Sequence, residues 1–162
     1  WYADWLERAR TGEIPGIDTS AYDVILFDNA PTASRLTKNS IVASDFVICP
    51  VRMDKFSFRA LMRLNEWMVR FSKAYRRSPV VLAIPTMFIR NRKRILNNLV
   101  VLNDLFPGRV ADEKLYYSED YGKALDQGVP LIVWKGATNK TIDSLRSVFS
   151  EALQKVRELS AQ

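Results

Sequence analysis

The stretch Val24-Ile25-Leu26-Phe27-Asp28-Asn29-Ala30-Pro31 decides how the chain is read. Four bulky apolar residues in succession suit a strand covered on both faces of a parallel sheet, and the turn at Asn29 to Pro31 cannot prolong it. Asp28 then falls at the carboxyl end of the strand, the end at which open α/β sheets bind ligands. A plainer reading makes Asp28 the residue that opens a turn after a core strand. The rest of the chain has to choose between the two.

Outward from this stretch, short apolar runs alternate with long amphipathic ones, the pattern of β-α-β units around a parallel sheet. The pattern predicts a helix over 3–10, broken at Gly12 and Pro15-Gly16, and a loop to Ser20 that feeds the strand at 23–28. A helix follows over about 34–44, with Ser34 placed to cap it, and then a strand over 46–49 closed by Pro50. The longest helix runs over 56–75, where Phe58, Leu61, Met62, Leu64, Trp67, Met68 and Phe71 form a broad apolar stripe. A strand over 80–84, a helix over 91–106 stopped by Pro107-Gly108, and a short strand at 109–111 come next. A short helix over 118–125, a last strand over 131–134 and a terminal helix over 141–160 complete the order. In the terminal helix Ile142, Leu145, Val148, Phe149, Ala152, Val156 and Leu159 share one face. The expected fold is α/β: one domain over 1–162, a doubly wound, mostly parallel sheet with flanking helices.

Composition narrows the chemistry. A chain of 162 residues, 48% apolar and 26% charged, is long enough for a core of its own. It has one cysteine, Cys49, and no histidine, which excludes an internal disulfide framework, a Cys/His zinc site and any histidine-based triad. Cys49 reads as a small buried apolar residue, since nothing is present to activate it. No apolar run approaches the ~20 residues of a membrane span, and the expected setting is a reducing cytoplasm. The 24 Lys plus Arg against 18 Asp plus Glu give a net +6, which makes a polyanion a plausible partner wherever the excess is concentrated. It is concentrated at Arg76-Arg77 and at Arg90-Asn91-Arg92-Lys93-Arg94, and again along the terminal region at Lys135, Lys140, Arg146, Lys155 and Arg157. The bland account of such clusters is a solvated charged face.

Five strings, in order over roughly residues 20–135, resemble the ParA/MinD family of deviant phosphate-loop ATPases, and most closely its ParA branch. Tyr22 to Pro31 is similar to the strand and switch turn of the family's Mg²⁺ site. Leu36-Thr37-Lys38-Asn39-Ser40-Ile41-Val42-Ala43-Ser44-Asp45 is similar to its "LT-N-(L/I)-A-D" helix, and Pro50-Val51 with Lys55 to Leu61 to the "PV" stretch after it. Pro85-Thr86-Met87-Phe88 resembles the strand end near the nucleotide base, and Ser118 to Pro130 the "S-E-A…G-x-P" segment. Two departures stand out. The lysine- and glycine-rich phosphate loop is missing, for Gly12 and Gly16 lack the motif and its helix. Ile89 stands where the family often has Asp. Together with a first residue that is Trp1, the missing loop leads us to expect the carboxyl two thirds of an ATPase domain, a phosphate-loop fold incomplete at its amino end.

The resemblance implies ATP and Mg²⁺ as the cofactors of the intact protein. Asp28 would hold the ion through water, a task that suits a compact carboxylate because Mg²⁺ keeps near-octahedral oxygen ligands. Asn29 and Pro31 would belong to the γ-phosphate switch, and Thr86, Met87 and Tyr117 would flank the base; for Met87 a place in the core is the competing reading. It implies a homodimer in the ATP-bound form, non-specific DNA as a partner, and a centromere-binding partition protein that stimulates hydrolysis. Location would be the nucleoid of the cytoplasm, with no membrane partner. DNA phosphates would meet Arg76, Arg77, Arg90, Arg92, Lys93, Arg94, Lys140, Arg146, Lys155 and Arg157, contacts that need only density of positive charge. A single cysteine cannot bridge the cluster of the family's iron proteins, and Val156 to Gln162 is too polar for a membrane-inserting helix. The competing function is a non-enzymatic adaptor on the same scaffold that binds a protein or DNA.

Overall fold

The computed structural model describes residues 4, 8, 21–30, 32, 34–75 and 79–160. The helix expected over 3–10, the loop to Ser20, and Pro31, Arg76 and Arg77 lie wholly or almost wholly outside the described residues. The chain divides into two compact units, one of residues 1–47 and 65–80 and one of residues 48–64 and 81–162.

The first unit contains helix α1, Arg35–Ala43. Its amino end is fixed as the sequence proposes: Ser34 is extended, and its Oγ accepts the Thr37 N–H at 3.1 Å. Ser40, Ile41, Val42 and Ala43 bury the last turn. Lys38 places its ammonium 5.6 Å from the centre of the Trp67 ring. The deciding stretch itself departs from expectation. Val24 to Asp28 joins no ladder among the described residues, and Val24 and Leu26 are 62% and 86% exposed. An apolar run becomes a buried parallel strand only when neighbouring strands take its backbone groups and helices cover its faces. Among the described residues no strand does the first for Val24 to Asp28.

The second unit contains most of a small parallel sheet. Its strands are β1, Phe46–Arg52, and β2, Val80–Thr86. Both run further than the sequence proposes, because Pro50 and Pro85 sit inside strands. Proline offers no N–H, so it is tolerated where no ladder bond is asked of it. β2 is buried continuously from Val81 to Pro85, the pattern of a strand covered on both faces. Residues 109–117 run parallel to β2 through two single bridges, Ala83 to Val110 and Phe88 to Tyr116. The Ala83 and Ala111 amides donate to the Arg109 and Ala83 carbonyls at 2.8 Å each, and the Leu115 amide donates to the Pro85 carbonyl at 2.9 Å.

Helix α2, Lys55–Tyr75, starts where Asp54 accepts the Ser57 N–H at 2.9 Å, and that amide is the main reason the Asp54 carboxyl lies below its ordinary value. Phe58 and Leu61 are buried on it in the second unit. Helix α3, Lys93–Leu105, buries Leu102 completely, and its Asn98 donates to the Met53 carbonyl at 2.8 Å. Helix α4 is Asp120–Asp126. The strand expected over 131–134 is instead one turn of 3₁₀ helix, Leu131–Val133. The Pro130 carbonyl accepts both the Val133 and Trp134 amides, so the backbone groups a strand would need are closed on themselves.

Helix α5, Asn139–Ser160, buries Val148 and Ala152. Phe149, expected on the same face, is 54% exposed. The helix is docked in part by a polar seam. Ser144 donates to the Lys114 carbonyl at 2.9 Å, and the Glu151 carboxylate accepts the Asp112 and Glu113 amides at 2.7 Å each. Lys155 lies 3.0 Å from Glu151 and donates to the Val110 carbonyl at 3.3 Å.

Candidate functional site

A parallel strand must hand the chain on at its carboxyl end, and β2 does so through two unusual residues. Thr86 is half-buried, and Met87 takes a left-handed backbone at φ 52° with its side chain 44% exposed, so Met87 does not lie in the core. Phe88 then turns inward and is only 4% exposed. Its ring meets Tyr116 edge to face, with centroids 5.8 Å apart. Cations close both ends of this pair: Arg90 lies 4.3 Å from the centre of the Tyr116 ring and Lys114 lies 5.9 Å from that of Phe88.

Beside this pair opens a cavity of about 560 Å³. Its wall is assembled from the turn after β2, from Tyr116, Tyr117 and Ser118, and from the first residues of α5, all within the second unit. Arg90, Arg92 and Lys140 line it, and no carboxylate does. Among the described residues none of these three cations is paired with an acid. Arg92 occupies the cap position of α3 without a side-chain cap bond, and Lys93 and Arg94 follow in a first turn that contains no acid. Positive side chains at the positive end of a helix dipole repel it and each other, so this end is poised for an anion.

Asp120 lies behind the wall as a carboxylate held by hydrogen bonds. Its Oδ2 accepts the Thr138 N–H at 3.0 Å and the Thr138 hydroxyl at 2.9 Å. The Thr138 and Thr141 hydroxyls are 2.8 Å apart, Thr141 donates to Ser118 Oγ at 3.0 Å, and Ser118 Oγ accepts the Asp120 N–H at 3.2 Å. The Thr138 amide, then the hydroxyls, pull the Asp120 carboxyl down to about 2. This network fixes the start of α5, and with it Lys140. The Tyr121 hydroxyl is buried and finds no hydrogen-bond partner among the described residues; burial first, and then the Asp120 charge, raises its pKa.

Of the residues singled out in the sequence, the structure brings Tyr117, Arg90, Arg92 and Lys140 to one cavity. Lys93 and Arg94 continue the exposed basic run, and Arg146 and Arg157 are exposed further along α5. Lys155 differs: its ammonium is held by Glu151 and the Val110 carbonyl, so it is taken up by the docking of α5. Asp28 and Asn29 are exposed in the first unit, where the Asn29 amide donates to the Phe27 carbonyl at 3.1 Å. Among the described residues no group of three or more acids, cysteines or histidines could enclose a metal ion, so none of them forms a protein cage for one. Cys49 is a thiol that burial pushes up to about 12. Tyr116, Thr138 and Thr141 had no motif to announce them, and Tyr121 lay in the Ser118 to Pro130 string without a role; the side-by-side run of β2 and residues 115–117 and the start of α5 bring them together. No helix among the described residues is long and apolar enough to cross a membrane.

Two comparisons bear on descent. A family model described as an AAA domain matches residues 13–80, a span that includes Asp28, α1, β1 and α2. The chain is also 21% identical over 114 residues to Protein IncC of Escherichia coli, an alignment covering 70% of this chain and 31% of that protein. The chain thus spans about a third of the length of the curated relative it matches. Both comparisons support the ParA/MinD-like resemblance that the five sequence strings carry.

Proposed function

We propose that the chain is the part of a ParA-type partition ATPase that carries the metal-site aspartate and the DNA-binding surface. In the intact protein two subunits sandwich ATP and Mg²⁺, Asp28 orients the water shell of the ion, and Asn29 and Pro31 follow the γ-phosphate. Thr86, Met87 and Tyr117 flank the base. Phosphoryl transfer of this kind rests on positioning and electrostatics, not on a covalent intermediate. The chain alone, without a phosphate loop, turns over no ATP. On this reading the dimer rides on the nucleoid until a centromere-binding partner releases it.

The observation that carries the DNA part is the convergence of Arg90, Arg92 and Lys140 on one cavity whose lining contains no carboxylate, with the basic first turn of α3 beside them. Phosphate contacts of this kind give binding that ignores sequence and falls steeply with salt. The test is duplex binding by fluorescence anisotropy for the full chain and for the double variant Arg92→Glu, Arg94→Glu. Affinity should fall at low salt, and the slope of log affinity against log salt should drop by about 2, one unit per lost contact. Unchanged affinity in the double variant removes the basic surface from the proposal.

A further inference from the structure

We propose that the outer face of the first half of α2 docks an acidic segment of a protein partner, held by a row of cations and one exposed phenyl ring. The inference uses no residue given above to nucleotide, metal or DNA.

Lys55, Arg59 and Arg63 follow one another at intervals of four residues, so each stands about 6 Å further along the helix on nearly the same side. All are exposed, and all belong to the second unit. Like charges at this spacing repel, and an acid three or four residues away would relieve them. None does so. Among the described residues no ion pair reaches Lys55, Arg59 or Arg63: Asp54 is taken by the Ser57 amide and by Arg52 at 3.6 Å, and Glu66, just beyond Arg63, pairs with none of the row.

The row is not purely charged. Phe56 rises beside it from the first turn and is 82% exposed. The next residue on the ridge of Phe56 is Ala60, small and also exposed, so no long side chain stands next to the ring there. Met62, 45% exposed, adds a second apolar side chain between Arg59 and Arg63. Phe58 and Leu61 meanwhile turn inward and are buried, so Phe56 and Met62 lie off the apolar stripe that packs α2 in the second unit.

This mixture selects among anions. A duplex backbone neutralises cations but offers nothing apolar to cover a ring, and a membrane-surface helix inserts a broad apolar face, which α2 keeps buried. A partner helix with glutamate at every fourth position repeats the step of about 6 Å, neutralises the row and can lay an aliphatic side chain on Phe56. Charge then sets approach and register, and the ring is the anchor.

The probe is a fluorescein-labelled alanine-based peptide of about 18 residues, with glutamate at every fourth position and one leucine, titrated against the full chain by anisotropy. It should bind, and the same peptide with lysine for glutamate should not. Arg59→Glu with Arg63→Glu should weaken binding roughly tenfold or more at low salt. Phe56→Ala should weaken it roughly tenfold, and that ratio should persist as salt rises, because it reports the ring and not the charges. The substituted positions are exposed, so the variants should fold, which circular dichroism checks; if the double reversal does not, Arg59→Gln with Arg63→Gln replaces it. Failure of the acidic peptide to bind, equal binding of its lysine form, or binding that Phe56→Ala leaves unchanged overturns the inference. A double variant that weakens binding of a duplex or of phosphatidylserine vesicles but not of the peptide makes the row a phosphate surface, and overturns it too.

Discussion

Removal of the Glu151 carboxylate tests how α5 is held. The side chain is 14% exposed, and its two oxygens each accept one backbone amide at 2.7 Å while Lys155 approaches to 3.0 Å. Hydrogen bonds to a charged group contribute about 1.5–3 kcal/mol when the partner is left buried and unmet. The Asp112 and Glu113 residues are exposed, so water can replace part of what is lost. Glu151→Ala should therefore destabilise the chain by about 2 kcal/mol for the pair together, at the low end of that range. For a chain of this size that is a fall in melting temperature of roughly 4–8 °C. Glu151→Gln retains one acceptor and should lose about half as much. Urea unfolding followed by circular dichroism reads both, as a shift in midpoint at constant slope. If both variants stay within about 0.5 kcal/mol of the parent, the Glu151 carboxylate contributes nothing to the docking of α5.

The remaining predictions concern titration and backbone. The Asp120 carboxyl is lowered in the folded state to about 2, so the stability it contributes is complete above its ordinary value of 3.8 and is lost as pH falls from there towards 2; Asp120→Asn should flatten that part of a stability–pH profile. Glu151, also lowered, should act in the same direction starting from its ordinary 4.5. Cys49, half-buried and with its thiol raised to about 12, should react slowly with a thiol reagent at neutral pH and faster on unfolding, and a rate insensitive to urea would contradict this. At Met87, φ 52° disfavours branched side chains, so Met87→Val should cost about 1 kcal/mol or more and Met87→Gly should cost nothing in thermal unfolding.

Helices were legible because their signals are local. Ser34 caps α1, Pro107 and Gly108 follow α3, and the apolar spacing of Phe58, Leu61 and Met68 marks α2, so the observed bounds agree with those read from spacing within about two residues. Strands were less legible because a ladder is made between segments. Val24 to Asp28 has the composition of a buried strand and no ladder partner among the described residues, whereas Leu115 to Tyr117 lacks a long apolar run and still pairs beside β2. Leu131 to Trp134 shows a third failure: Pro130 accepts the amides that follow and winds an apolar run into a turn. For the site, the cations were legible as a dense cluster, but their shared cavity was not. It depends on Asp120 and Thr138, 18 residues apart, and on Phe88 meeting Tyr116 across two segments.

The Arg90 guanidinium over Tyr116 gives the protein a built-in spectroscopic reporter. Protons that lie above an aromatic face resonate upfield of their usual position, so the arginine side-chain signals should be displaced in the free protein. Whatever draws that guanidinium away from the ring will return them, and the occupancy of the hollow then becomes readable by magnetic resonance without a dye on either molecule.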